Sequence, residues 1–399
     1  MEKVRFGLIG IGAQGGAYAG FLTGQGGFPG MPAPQCPPHC ALGALCDIDP
    51  EKEKMCREKY PDVPFFKDWK EMVASGTVDA VITTVPHYLH HEIAIYCLEH
   101  GMNVLVEKPA GVYTKQVREM NEEAKKHPDV VFGMMFNQRT NCIYRKMREL
   151  VQSGVYGNIR RTNWIITNWY RPQAYYDSGD WRATWSGEGG GVLLNQCPHQ
   201  LDLWQWICGM PKKVEAHLHY GMWHNIEVED DVTTYVEYEN GATGVFITST
   251  GDAHGTNRFE IQLDKAKMVA EGDRLTVLEY DMTEQEFSKT NTNPFGMVGA
   301  HEVDPQLDGE NPQHKGVINA WGGAILRGEP LIAGGEEGIN GLTLSNAMHL
   351  SSWLGKEITL PFDEDLYYTE LMKRVATSKR KTNVKEVVAD TSSSYAGSK

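Results

Sequence analysis

Three stretches of this 399-residue chain gather residue types that could do chemistry. The first is Gly10-Ile11-Gly12-Ala13-Gln14-Gly15, a G-x-G-x-x-G spacing after the apolar run 4–9 and before the small-residue stretch 13–22. Strand, turn and helix in that order make a glycine motif into a dinucleotide site. Gly10 permits the tight turn, Gly12 lets a pyrophosphate approach the backbone, and Gly15 lets helix pack on strand. The phosphates then meet the unpaired N–H groups and positive dipole end of the helix. The competing reading is a glycine-rich turn with no ligand. The second stretch is Val106-Glu107-Lys108-Pro109, which closes a strand at the edge where such sheets bind ligands. It places Lys108 beside a nicotinamide ring, on a backbone fixed by Pro109. The third runs from Gly189-Gly190-Gly191 through Asn195-Gln196-Cys197-Pro198 to His199 and Asp202. Its glycines let backbone and ligand come close, and His199 and Asp202, three apart, share a helix face.

An acid is expected at the tip of the second strand, and Asp47 ends the run 41–46. A carboxylate there bonds the ribose hydroxyls of NAD and repels the 2′-phosphate of NADP. Ile48 follows it, not an Arg or Ser that could hold a phosphate, so the cofactor read is NAD. Asp49, before Pro50, reads as the cap of a helix over 50–60. Asp47 also comes later than the usual gap of about 20 residues. The excess is a Gly/Pro insertion, 24–40, that joins a helix end to a strand start. It is expected at the sheet edge away from the cofactor, with 29–40 dispensable for chemistry. Cys36, His39 and Cys40 lack a second ligand pair, so a surface loop is preferred to a zinc site and no metal is expected.

Strands and helices must position these groups. Strand-like runs at 63–66, 78–85, 103–106 and 130–136 alternate with helical stretches at 69–74, 90–99 and 114–126. That alternation makes a doubly wound parallel sheet. From 159 the texture changes to long alternating runs at 161–167, 213–219, 232–238, 243–249 and 258–263, with Asn240-Gly241 as a hairpin turn. The fold class is α/β: an N-terminal Rossmann sheet, then a C-terminal α/β domain with a large open antiparallel sheet. Helices are expected at 317–327 and 338–354. The domains are expected at 1–137 for NAD and 138–362 for substrate and oligomerisation, with a helical extension and Ser-rich disordered tail in 363–399, the tail itself being 391–399. The net charge of −14 speaks against nucleic acid and anionic membranes as partners. With the start Met1-Glu2-Lys3 running directly into a strand no secretory leader is expected, no apolar run approaches about 20 residues, and the eight cysteines lack a framework spacing. A cytoplasmic protein is expected.

In order, these features resemble the Gfo/Idh/MocA oxidoreductases (glucose-fructose oxidoreductase, inositol dehydrogenase and relatives), over residues 4–361. Further matching stretches are Val85-Pro86-His87-Tyr88-Leu89-His90, Asn137-Gln138-Arg139, Gly154-Val155-Tyr156-Gly157, Glu227-Val228-Glu229-Asp230 and Asn240-Gly241-Ala242-Thr243-Gly244. The set is specific for the family and far less so for the substrate. The resemblance implies that His199 is the base taking the proton of a sugar hydroxyl as hydride leaves the same carbon. An imidazole suits that task because its pKa lies near working pH. It implies that Lys108 bonds the reacting hydroxyl and the nicotinamide ribose and stabilises the developing alkoxide. Val85, Pro86, His87, His90, Glu107 and Asn137 are implied to line the cofactor. Asn195 departs from inositol-dehydrogenase-like members, which carry Asp four residues before the histidine. Without that carboxylate, the His199 pKa is expected near that of free imidazole. Asn-Gln at this place resembles the branch acting on position 3 of pyranosides, which favours a glycoside over a free cyclitol.

Asp202 could orient His199, touch substrate or cap a helix. Tyr170, Arg171, Tyr175, Tyr176, Trp181 and Arg182 form an aromatic and basic loop that reads as a sugar-stacking wall or as packing. His314, before the late helix, is placed at the pocket. The first function is NAD-dependent oxidation of a sugar or glycoside hydroxyl. The second is hydrolysis or elimination by transient oxidation, which keeps NAD tightly bound, and inositol dehydrogenation is a further alternative. A non-catalytic NAD-binding regulator is disfavoured by the presence of both Lys108 and His199. Family likeness implies a homodimer or homotetramer.

Overall fold

The computed structural model describes residues 2–25, 36–379, 381 and 384. The expected tail and residues 26–35 of the insertion lie outside the described residues. Six strands, β1 (Val4–Ile9), β2 (Cys40–Cys46), β3 (Phe65–Phe66), β4 (Ala80–Thr83), β5 (Asn103–Val106) and β6 (Phe132–Met134), form a wholly parallel sheet ordered β3-β2-β1-β4-β5-β6. They alternate with α1 (Ala13–Thr23), α2 (Pro50–Lys59), α3 (Trp69–Ala74), α4 (Tyr88–Glu99) and α5 (Thr114–Lys126). Both faces are covered, as near-continuous apolar strands require. Phe6 and Leu8 bury against Tyr18, Phe21 and Leu22 of α1, while Ile9, Val81 and Val106 join the core holding Met72 and Ile93 on the other face. β1 lies beside β4 although two strands separate them in sequence. The order reverses there, and the crevice beyond the C-terminal ends of β1 and β4 is the place such a sheet offers a ligand.

The described flanks of the insertion sit at the opposite edge. Val4 N donates to His39 O at 2.8 Å, and Cys36 Sγ lies 3.1 Å from Leu22 O. Among the described residues no three His, Cys, Asp or Glu side chains gather as metal ligands.

The second sheet has nine strands: β7 (Ile159–Ile166), β8 (Lys213–Tyr220), β9 (Glu229–Glu237), β10 (Thr243–Ser249), β11 (Asn257–Leu263), β12 (Ala266–Glu271), β13 (Arg274–Tyr280), β14 (Ala300–Val303) and β15 (Ile358–Thr359). Their order is β14-β13-β12-β11-β7-β10-β9-β8-β15. The sheet is mixed, not antiparallel throughout, because β10 pairs β7 in parallel from Thr243↔Arg161 to Thr248↔Ile166. The chain leaves β7 on a long excursion, re-enters at β8 and returns by hairpins, so β10 meets β7 running the same way. Asn240-Gly241 does form the β9–β10 turn, with Gly241 at φ +83°.

Among the described residues seven α-helices follow the first sheet: α6 (Cys142–Gln152), α7 (Gln173–Tyr176), α8 (Pro198–Cys208), α9 (Glu284–Thr290), α10 (Gln313–Arg327), α11 (Gly338–Leu354) and α12 (Glu364–Val375). In β8, Val214, Ala216 and Leu218 alternate inward, and α11 packs between that strand and α8. The helix α10 turns back to the first sheet. Its Val317, Ile318 and Trp321 join the β1–α1 core, with the Trp321 ring 5.3 Å from that of Phe6. No described helix is long and apolar enough to cross a membrane.

Candidate cofactor and substrate site

The glycine turn is built as its spacing requires. Gly10 has φ +92°, its N–H donates to Cys46 O at 2.8 Å, and a Cβ there would come within 2.6 Å of Thr84 O. A Cβ on Gly15 would run into the Gly10 carbonyl. Gly12 is different: it is the N-cap of α1, no side chain caps the helix, and a Cβ would meet nothing within 4 Å. Open space over uncapped helical N–H groups fits a pyrophosphate. Asp47 stands at the tip of β2, where Oδ2 accepts Ile11 N at 2.6 Å and Oδ1 accepts Asp49 N at 3.0 Å. Ile48 beside it is 86% exposed, and Lys67 at this end is paired with Glu53 at 3.0 Å. Asp49 caps α2 through Glu51 N at 2.9 Å.

The middle of the crevice is lined from β4 and β5. His90 Nδ1 lies 2.7 Å from Pro109 O and Nε2 2.9 Å from Val85 O. Two carbonyls would suit an imidazolium, but burial outweighs them and lowers the pKa to about 4. His87 Nδ1 lies 3.1 Å from Glu188 O, and burial, with His90 and Lys108 near, holds the ring well below its ordinary pKa. Glu107 is buried, bonded to Tyr18 Oη and to Lys108 N, and burial raises its carboxyl to about 7 against the pull of Lys108. Burial also lowers the Lys108 ammonium, opposed by Glu107 and Glu188. Lys108 Nζ donates to Asn195 O at 3.0 Å, which ties the edge of the first sheet to the loop before α8.

That loop is held by carboxylates. Glu229 accepts the N–H groups of Gly191 and Leu193 at 2.9 and 3.0 Å, and a Cβ on Gly191 would run into Glu229 O. Glu188 Oε2 accepts Ala183 N at 2.6 Å, and Oε1 accepts the Asn195 amide. The Asn195 amide nitrogen thus donates to Glu188. His199 follows on α8 as a nearly buried imidazole whose Nδ1 has no hydrogen-bond partner among the described residues. Its pKa lies well below 6.5 because of burial first, then Lys108 and His314. That corrects the expectation of a free-imidazole value: with no carboxylate at its side, desolvation decides. His314, on α10, is lowered to about 3 by burial and by Lys108. The outer wall is aromatic and basic. Arg182 lies over the rings of Trp181 and Tyr175, at 4.5 and 4.7 Å, and Arg171 over those of Trp169 and Tyr175.

One cavity of about 530 Å³ joins these groups. Gly10, Gly12, Ala13, Gln14, Asp47, Val85, Pro86, His87, His90, Glu107, Lys108 and Asn137, with His314 of α10 near Tyr18, line it on the first sheet's side, and Arg171, Trp181, Arg182, Asn195 and His199 stand opposite. Ile11, Gly15, Tyr170 and Asp202 do not line it. Ile11 and Gly15 shape the turn, and Tyr170 is 45% exposed. Asp202 turns from His199 to Arg139, whose guanidinium grips both carboxylate oxygens at 2.6 and 2.8 Å inside the core. Tyr176 is buried with its hydroxyl on Thr250 at 2.7 Å, which is packing. Sequence reasoning missed Glu188, Gln196 and Trp169. The signal for Glu188 was an acid set among glycines; Trp169 and Gln196 adjoin residues that were singled out.

A parallel sheet with this turn at its switch point, facing a second sheet across one cavity, defines an NAD-binding oxidoreductase. Residues 4–134 match the "Oxidoreductase family, NAD-binding Rossmann fold" and residues 144–269 the "GFO/IDH/MocA C-terminal domain". The chain belongs to the Gfo/Idh/MocA family. It is similar to levoglucosan dehydrogenase of Pseudarthrobacter phenanthrenivorans, 25% identical over 70% of this chain and 76% of that protein. It is also similar to D-glucoside 3-dehydrogenase of Escherichia coli, 29% identical over 50% of this chain and 60% of that protein. A solved WlbA dehydrogenase from Chromobacterium violaceum, in complex with NADH and UDP-GlcNAcA, superposes with a TM-score of 0.76 at 27% identity, covering 91% of this chain and 97% of that one.

Proposed function

We propose that the protein oxidises a secondary hydroxyl, at position 3, of a sugar or glycoside with NAD. The observation that carries this reading is the meeting of Lys108 and His199 in one cavity, with Lys108 Nζ bonded to the backbone of the loop that leads to His199. The names of two relatives, a levoglucosan dehydrogenase and a D-glucoside 3-dehydrogenase, support the substrate class. Gly10, Gly12, Ala13, Gln14 and Asp47 would hold the dinucleotide, and Asp47 favours NAD over NADP. When bound, NAD supplies the hydride acceptor. His199, neutral at working pH, takes the hydroxyl proton. Lys108 stabilises the oxygen as its negative charge grows, in a site where burial strengthens the interaction. Asn195 acts on Lys108 through its carbonyl. Glu188 holds Asn195, and Asp202 braces α8 from within the core through Arg139.

The cofactor unit is assigned to 1–137, the substrate unit to 138–362 and the extension to 363–399, with α10 lent back to the first sheet. Eight free cysteines support a cytoplasmic setting, and half-exposed residues such as Tyr235 and Ile165 on the nine-stranded sheet support a homodimer or homotetramer. The test is incubation with NAD and a glycoside panel while NADH absorbance and aglycone release are followed together. NADH formation with ketone product on the sugar is expected. Aglycone release without NADH accumulation would replace it with the redox-neutral reading, and oxidation of inositol alone with the cyclitol reading.

A further inference from the structure

We infer that the substrate carries an anionic group, a carboxylate or a phosphate, that docks between Arg171 and Arg182; this rests on the sugar-dehydrogenase reading and deepens it. The chain has a net charge of −14, so cations left unpaired in a cavity are unusual for it. Most of its basic side chains at the surface sit in ion pairs, as Lys67, Arg118 and Arg258 do. Arg171 and Arg182 do not: among the described residues neither forms an ion pair. Arg171 Nη1 donates to Tyr170 O at 2.9 Å and Arg182 Nη1 to Tyr175 Oη at 3.0 Å, which leaves most of each guanidinium's five N–H groups unused. Both lie over the one ring of Tyr175, at 5.2 and 4.7 Å, so like charges are held close together.

No described carboxylate lies within ion-pair distance of either guanidinium. The carboxylates lining the cavity are Asp47, at the β2 tip, and Glu107, whose pKa burial raises. Glu188, which feels Arg182, does not line the cavity, and both its oxygens are taken by Ala183 N and Asn195. Lys108 adds a third cation without an ion pair among the described residues, since Lys67, which also lines the cavity, is held by Glu53 at 3.0 Å. On this wall of the cavity, Trp169 Nε1, a donor, and Gln196 Oε1, an acceptor, are buried polar atoms without a hydrogen-bond partner among the described residues. Guanidiniums with a spare indole N–H suit the oxygens of an anion, and the amide oxygen suits a sugar hydroxyl beside it. Aromatic faces under the arginines keep the guanidinium planes in place for two-point contact.

Calorimetry on NAD-loaded full-length protein tests this with three matched ligands: a methyl glucoside, its uronic acid and its 6-phosphate. One or both anions should bind about 10- to 100-fold tighter than the neutral glycoside, the ratio charge-assisted bonds give. Raised salt should shrink that ratio. Arg171→Gln and Arg182→Gln should each cut it, and Arg182→Lys should keep part of it. The uronic-acid and phosphate arms tell the two sources apart. Equal or weaker binding of both anions, or a preference that survives both Gln variants, overturns the subsite. Oxidation of the neutral glycoside alongside that result would leave the dehydrogenase reading standing, so the two fail separately.

Discussion

Gly12→Ala should separate cofactor binding from folding. Gly12 has φ −77°, which alanine adopts without strain, and its Cβ would enter open space. The substitution restricts the unfolded chain, worth about 0.4–1 kcal/mol of stability. It also puts alanine at a helix N-cap, which costs about as much. The two nearly cancel, so thermal unfolding without NAD should be little changed. The same methyl stands where a pyrophosphate must touch the backbone. Overpacking of one methyl typically costs about 1–3 kcal/mol, or roughly 5- to 150-fold in Kd. Gly15→Ala is the contrast, because its Cβ runs into the Gly10 carbonyl and lies 2.8 Å from Thr84 Oγ1. It should lower the unfolding midpoint by several degrees with NAD absent. Fluorescence titration with NAD and thermal scans of both variants decide. Wild-type NAD affinity in Gly12→Ala would mean that no pyrophosphate touches this backbone, and a drop in its apo stability like that of Gly15→Ala would mean that the space over Gly12 is not open.

Asp47→Asn should narrow the preference for NAD over NADP by removing the charge that repels a 2′-phosphate, read as the ratio of the two Kd values; an unchanged ratio would show that Asp47 does not select. The pH profile of kcat/KM should have its acid limb below 6.5, because burial and Lys108 favour neutral His199. The rate should therefore rise with pH well under neutrality and be flat through pH 7; an acid limb above 6.5 would contradict that environment. Glu188→Gln keeps a partner for Ala183 N and for a rotated Asn195 amide, but removes a charge that raises the Lys108 pKa. The alkaline fall in kcat/KM, where Lys108 deprotonates, should move to lower pH, and an unmoved limb would mean that the Glu188 charge is not felt.

The half of the fold written in local signals was legible. Gly10 at positive φ, Asp47 at a strand tip, Asp49 before Pro50 and Asn240-Gly241 each obey short-range rules, and the structure shows the turn, tip, cap and hairpin they imply. What was not legible depends on partners distant in sequence. The parallel pairing of β7 with β10 follows from a long excursion that no spacing records. The return of α10 to the first sheet is decided by Trp321 meeting Phe6 across more than three hundred residues. Asp202 looked poised to serve His199, but Arg139 arrives from the segment just after β6 and takes its carboxylate. The His199 pKa expectation rested on its sequence neighbours, whereas desolvation by two sheets governs it. Glu188 carried a weak signal, because what gives a buried carboxylate meaning is the set of donors the fold brings to it.

On the proposed chemistry His199 removes the substrate proton as hydride departs, and this is open to single-turnover kinetics of His199→Ala with NAD and a glycoside that the wild type oxidises. NADH formation should slow by about 10²–10⁴-fold, as loss of a positioned base entails, with the NAD Kd close to wild type because the turn that holds it belongs to the other sheet. Near-normal NADH formation in His199→Ala would contradict that role.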